Sequence, residues 1–177
     1  PAGFDAPGHP WPDIEAAEDE ELDKVLEPLK IDNKMLRARV EPGSTAVFEA
    51  FENLLLIRLP TQTSPVDVDF THLTFLCLPT TLVTIHHEPL PAITGLASRL
   101  AGRIRLKSAT TSALVYQIIA RLVGENFFAF GACRQKQEAL SKRMIEVSED
   151  IEPEEIFTLR RQLTHIGDAN EDHAFCV

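Results

Sequence analysis

From Pro91 to its last residue the chain reads as helix, and one stretch, SATTSALVYQIIARLVGENFFAFGACRQKQEALSKRMIEV, constrains the fold most. Leu114, Ile118, Ile119, Leu122, Phe127, Phe130 and Leu140 keep helical spacing, and no proline interrupts them. The pattern predicts a single helix of roughly 35 to 40 residues, with Ser108 or Thr111 as its N-cap. It runs through Gly124 and Gly131, each costing about 1 kcal/mol relative to alanine. SEDIEPEE breaks it, and Pro153 is placed to open a further helix with Glu154 and Glu155 in the first turn. A shorter helix, PAITGLASRLA, precedes both.

The last helix carries a heptad seam of Ile156, Leu159, Leu163, Ile166, Asn170, His173 and Val177. Asn170 and His173 are polar in a stripe meant for a partner, and an asparagine there more often fixes register than does chemistry. Off the seam, His165, Asp168, Asp172 and Cys176 are spaced 3, 4 and 4 apart, which puts them within about 80° of one another on one face. Such a stripe has the residue types of half an intersubunit metal site. The competing reading is a solvated helix face. No stop signal ends this helix, so the expectation is a fragment of a longer chain.

Upstream the texture is β. TAVFEAFENLLLIRLPT alternates at Val47, Glu49 and Phe51, turns near Asn53, and then runs apolar to Leu59. That predicts a hairpin whose second strand is buried on both faces. Further strands are expected over Asp67–Leu78 and Leu82–His87, the second rich in β-branched residues as a central strand should be. Before them come two short helices. One is acidic, with Leu22, Val25, Leu26 and Leu29 on its inner face. The other, DNKMLRARV, is capped by Asp32 or Asn33 and ends before Pro42. Residues 1–13 hold four Pro and two Gly and read as an irregular opening.

The expected fold class is therefore α/β (α+β): a mixed sheet flanked by short helices, an α/β/α sandwich, then two long helices. The mixed-sheet part occupies residues 1–106 and the long helices 107–177, together one domain.

Charge narrows function. The net charge is −10 at neutral pH and the pI about 5.0. That argues against a nucleic-acid surface or an anionic membrane face, both of which want clustered Lys and Arg. Glu15, Glu18, Asp19, Glu20, Glu21 and Asp23 form an acidic run that reads as a solvated helix face. Cys77, Cys133 and Cys176 are odd in number and far apart, which suits a reducing compartment. There is no secretory signal pattern and no run of 18 apolar residues, so a soluble, cytosolic fragment without a membrane span is expected. No phosphate-cradling GxxxxGK[ST] or GxGxxG occurs, nor a GxSxG elbow, HExxH or EF-hand loop. His86 and His87 are adjacent at a strand end and point to opposite faces, so they do not readily share an ion. No nucleophile, base and orienter assemble, and an enzyme is not expected.

Several stretches together carry a family resemblance. LVTIHHEPLPAITGLASRL, SALVYQIIARLVGENF and EPEEIFTLRRQL, in this order, resemble the soluble domain of the CorA family of divalent-cation transporters. DEELDKVLEPLKIDNKMLRARVEPGSTAVFEAFENLLLIRLP is similar as well, and Trp11 with Asp13 resembles a strand near that family's beginning. The likeness covers most of residues 11–166 and consists of many weak matches. It implies a cytoplasmic α/β/α domain whose last helix begins a stalk. The stalk would lead to two transmembrane helices at the inner (plasma) membrane, assembled as a pentamer. The family's Gly-Met-Asn pore motif does not occur in this sequence. By the same resemblance the domain would sense Mg²⁺, or less readily Co²⁺ or Zn²⁺, through acidic residues at subunit contacts. Here Ala38, between Arg37 and Arg39, stands at the family's acidic sensing position. The alternatives are the cytoplasmic domain of a zinc-transporting relative and a free-standing helical interaction module.

Overall fold

Residues 2–6, 9–15, 19–29, 31, 46–64, 69–102, 110–146 and 151–176 are described by a computed structural model. Along the chain come β1 (Ala2–Ala6), β2 (His9–Glu15), α1 (Asp19–Leu26), β3 (Val47–Ala50), β4 (Leu55–Gln62), β5 (Phe70–Cys77) and β6 (Leu82–His86). Three helices follow: α2 (Pro91–Gly102), α3 (Thr111–Glu146) and α4 (Pro153–Cys176). The strands form one six-stranded sheet in the order β1-β2-β6-β5-β4-β3. Only β2 and β6 run parallel; every other neighbouring pair is antiparallel.

β4 is buried from Leu56 to Gln62, as its apolar run requires of a strand covered on both faces. Its alternate residues supply two cores. Ile57 and Leu59 join Trp11, Leu73, Phe75 and Leu82 beneath α2, α3 and the end of α4. Leu56 joins Ile14, Leu76, Val83 and Ile85 beneath Leu22 and Leu26 of α1. The expected α/β/α sandwich is therefore present, with short α1 on one face and the longer helices on the other.

The irregular opening expected over residues 1–13 is instead a β-hairpin. β1 pairs with β2 from Ala2↔Asp13 to Ala6↔His9, and Trp11 is 1% exposed. A ladder tolerates proline where the missing N–H has no acceptor across from it. Pro10 and Pro12, two apart, aim their nitrogens to one side, and β6 pairs only with Asp13–Glu15. Burial of Trp11 in the core outweighs the turn-forming composition around it.

α3 has the length its pattern predicts, 36 residues. Its cap is neither of the residues expected: Thr110 Oγ1 accepts from the Ala113 amide at 3.2 Å, while the Thr111 hydroxyl donates to the Leu78 carbonyl at 2.9 Å. By length and composition, α3 is the one helix among the described residues apolar enough to cross a membrane. Here Leu114, Ile118 and Leu122 dock it on the sheet, and Ala129 and Cys133 pack against Leu159 and Ile166 of α4. Ser108, the helix expected over DNKMLRARV, and with it Ala38, lie outside the described residues.

Candidate functional site: the exposed side of the last helix

Pro153 opens α4 where its missing N–H leaves nothing unsatisfied, and Glu154 and Glu155 sit in the first turn, where the helix dipole favours acids. Arg143 at the end of α3 donates through both terminal nitrogens to the Glu155 carboxylate, at 2.8 and 3.3 Å. This fork ties the start of α4 to the end of α3.

The docked side of α4 consists of Leu159, Ile166, Ala169, His173 and Cys176. At 100° per residue these five cover about 100° of the helix, an arc rotated by roughly 50° from the seam expected on sequence grounds. Ile156, a seam residue by spacing, is 45% exposed. Small Ala169 makes the difference: it lets α4 approach its neighbours on its own side and draws the arc toward Cys176. Polar seam residues are accounted for. His173 Nε2–H donates to the Pro60 carbonyl at 2.7 Å. Gln62, Asn126 and Asn170 form an amide ladder across β4, α3 and α4, with bonds of 3.0 and 3.1 Å. Asn170 is exposed on this helix, and its hydrogen-bond partner is Asn126 of the same chain.

The four stripe residues divide. His165 and Asp168 are exposed and Asp172 is half-buried. The edge of the His165 ring rests against Phe70 of β5, centroids 6.4 Å apart at 82°. Cys176 is a correction to the solvent-facing stripe: it is 5% exposed, belongs to the core under the sheet, and its thiol points at the Val47 carbonyl at 3.8 Å. Burial, and then the charge of Asp172, push that thiol's pKa up, so it is no ready thiolate ligand. The reason is again angular, since Cys176 falls only about 20° from buried Ala169.

Sequence reasoning missed what β5 brings to this face. Asp172 lies within electrostatic reach of His72 and His173 and favours the charged form of each. Burial nevertheless holds both imidazoles below their ordinary pKa, and for His72 the Arg58 charge adds to it. No sequence signal links His72 to Asp172, because a hundred residues separate them. Among the described residues no group of three or more His, Cys, Asp or Glu side chains is gathered closely enough to hold a metal ion. The outward side of α4 carries the Asp168 and Asp172 carboxylates and the His165 ring, with Arg161 on the same face by helical spacing. His86 and His87 diverge as adjacent strand residues do, one buried and one exposed.

A mixed sheet between a short helix and a layer of longer ones, closed by a helix docked along one side, is an α/β/α architecture that known proteins share. The family model described as CorA-like Mg²⁺ transporter protein matches residues 8–175, and the chain belongs to that family. Its fold is similar to the complete CorA magnesium transporter from Methanocaldococcus jannaschii (TM-score 0.78, 21% identity, 94% of this chain and 53% of that one). The soluble domain of the same transporter gives a TM-score of 0.77 at 20% identity, over 94% of this chain and 67% of that one. The ZntB cytoplasmic domain from Vibrio parahaemolyticus RIMD 2210633 gives 0.63 at 17% identity, over 95% and 83%. The chain thus spans about half the length of the complete transporter it matches. No curated protein sequence matches significantly.

Proposed function

We propose that this chain is the cytoplasmic regulatory domain of a CorA-like magnesium or cobalt transporter, controlling a pore formed by transmembrane helices outside it. The reading rests on family membership over residues 8–175 and on one structural observation: α4 docks by one side and presents Asp168, Asp172 and His165 on another. In an assembly of five copies, α4 is the start of the stalk, and these side chains are half of an intersubunit cation site.

The physical logic is electrostatic. Carboxylates brought together at a contact repel until a cation neutralises them, so the ion binds one assembly state better than the other and shifts the balance between them. Magnesium keeps several of its waters, so one or two carboxylates from each copy suffice. Residues 107–177 carry the contact and residues 1–106 hold it in place, and no covalent chemistry is involved. A zinc-transporting role is the second reading, favoured by the likeness to the ZntB domain. It is the weaker of the two because Cys176 is withdrawn into the core, leaving one imidazole as the only soft ligand on the stripe.

Uptake by the full-length protein in vesicles loaded with different internal Mg²⁺ concentrations tests this. Uptake should fall as internal Mg²⁺ rises, and Asp168→Asn with Asp172→Asn should blunt that fall. Uptake indifferent to internal Mg²⁺, Co²⁺ and Zn²⁺ alike would sink the regulatory reading.

A further inference from the structure

Where β2 meets β6, the side chains on the face toward the long helices form one hydrogen-bonded chain. Trp11 Nε1–H donates to Thr84 Oγ1 at 2.9 Å, and the Thr84 hydroxyl donates to Asp13 Oδ1 at 2.5 Å. His86 Nε2 lies 3.2 Å from the same Oδ1, and His86 Nδ1 lies 2.7 Å from the Glu88 carbonyl oxygen. His86 is 2% exposed and Asp13 8%.

The proton count follows from donors and acceptors. A carbonyl oxygen can only accept, so Nδ1 carries a hydrogen. Asp13 Oδ1 already accepts from Thr84, whose own lone pair takes the indole N–H, so that oxygen acts as a carboxylate acceptor. Nε2 facing it must donate too, since a bare nitrogen lone pair against a buried carboxylate would repel. Below the raised pKa of His86, both ring nitrogens therefore carry hydrogen and the ring is an imidazolium facing Asp13.

The surroundings agree. Burial works against the charged ring, but the Asp13 hydrogen bond and charge, the Glu88 carbonyl and the Glu15 charge outweigh it, and the pKa of His86 rises above 6.5. β5 presents Leu73 in register with His86, and the only charged residue of α2 is Arg99, exposed in its last turn. Asp13 and Glu15 of β2 are thus the charges that set the ring's state.

We propose that Asp13 and His86 form a protonation latch, which holds the β1–β2 hairpin on the sheet and loosens it when His86 gives up its proton. Among the described residues, the hairpin's backbone pairing to the rest of the sheet is Asp13–Glu15 against Thr84–His86. When the proton leaves, a buried carboxylate is left without its counter-charge beside that short ladder, and an uncompensated buried charge is strongly unfavourable. The sign is fixed. A histidine whose folded pKa exceeds its unfolded one stabilises fully below the unfolded value, and the effect is lost as pH rises through the folded value. The latch opens on the alkaline side.

NMR titration of the His86 ring in the whole chain, read together with amide protection factors of the hairpin, tests the latch. The ring should titrate above 6.5. Hairpin protection should fall about tenfold for each unit by which the pKa is raised, while β4 and β5 hold theirs. In His86→Gln the pH-linked fall should vanish, and in Asp13→Asn the ring of His86 should titrate lower than in the parent. A ring titrating below 6.5 in the unsubstituted chain, or an equal fall in His86→Gln, would overturn the proposal.

Discussion

His86 and His173 are buried to nearly the same degree, and each ties an element to the sheet, yet their pKa values shift in opposite directions. His86, at the junction of β2 and β6, sits between a carboxylate and a carbonyl, whose hydrogen bonds raise its pKa against burial. His173, at the junction of α4 and β4, donates to one carbonyl, and its Nδ1 faces no hydrogen-bond partner. Burial pushes its pKa down, with the Pro60 carbonyl and Asp172 opposing, so it stays neutral. What the second ring nitrogen meets, and not burial itself, decides the state of a core histidine. The linkage to pH is opposite as well. His173 stabilises above the ordinary imidazole pKa, and that contribution is lost as pH falls through its lowered value. The hairpin end is weakened by base and the α4 end by acid.

Five substitutions would break this contrast or sharpen it. The largest effect belongs to Asp13→Ala, which strands a buried imidazolium and should cost about 3–5 kcal/mol in urea unfolding. A loss below about 1 kcal/mol would mean that His86 is already neutral. His173→Ala should cost less, about 1–3 kcal/mol, because it orphans the neutral Pro60 carbonyl and not a charge. Equal losses at the two sites would erase the distinction. In thermal melts, replacing His173 with Gln should flatten the acid limb below pH 6.5, while His86→Gln should flatten the alkaline limb. Exchanged limbs would reverse both assignments. Smallest is Arg143→Ala: the fork to Glu155 is solvent-exposed on both sides, so removing it should cost no more than about 1 kcal/mol.

The parts of this fold legible in the sequence are those where one signal dominates. β4 and β6 are apolar enough to demand burial on both faces, and α3 and α4 are long, with Pro153 marking the start of the second. The β1–β2 hairpin was illegible because its prolines and glycines speak for a turn, while the forces that make it strand are tertiary: Trp11 entering the core and Thr84 meeting its indole. The α3 cap was off by one or two residues because three neighbouring hydroxyl residues were equivalent until Leu78 claimed Thr111. On α4 the burial of the four stripe residues differs. His165, Asp168 and Asp172 face outward or nearly so, and Cys176 does not, because alanine carries no hydropathy signal strong enough to show that Ala169 extends the docking arc toward it. His72 was unreachable, since its relation to Asp172 exists only once α4 lies across the sheet.

The central claim is that the outward side of α4 takes a divalent cation. Thermal unfolding of the assembled protein with Mg²⁺, Co²⁺ and Zn²⁺, with and without Asp168→Asn and Asp172→Asn, tests it most directly. Ligand binding to the folded state alone raises stability by about 2.7 kcal/mol at a hundredfold excess over Kd. One of the three ions should raise the melting temperature of the parent, and the double substitution should abolish the rise. An assembled parent that melts at the same temperature with and without each ion, or a rise that survives the double substitution, would contradict it.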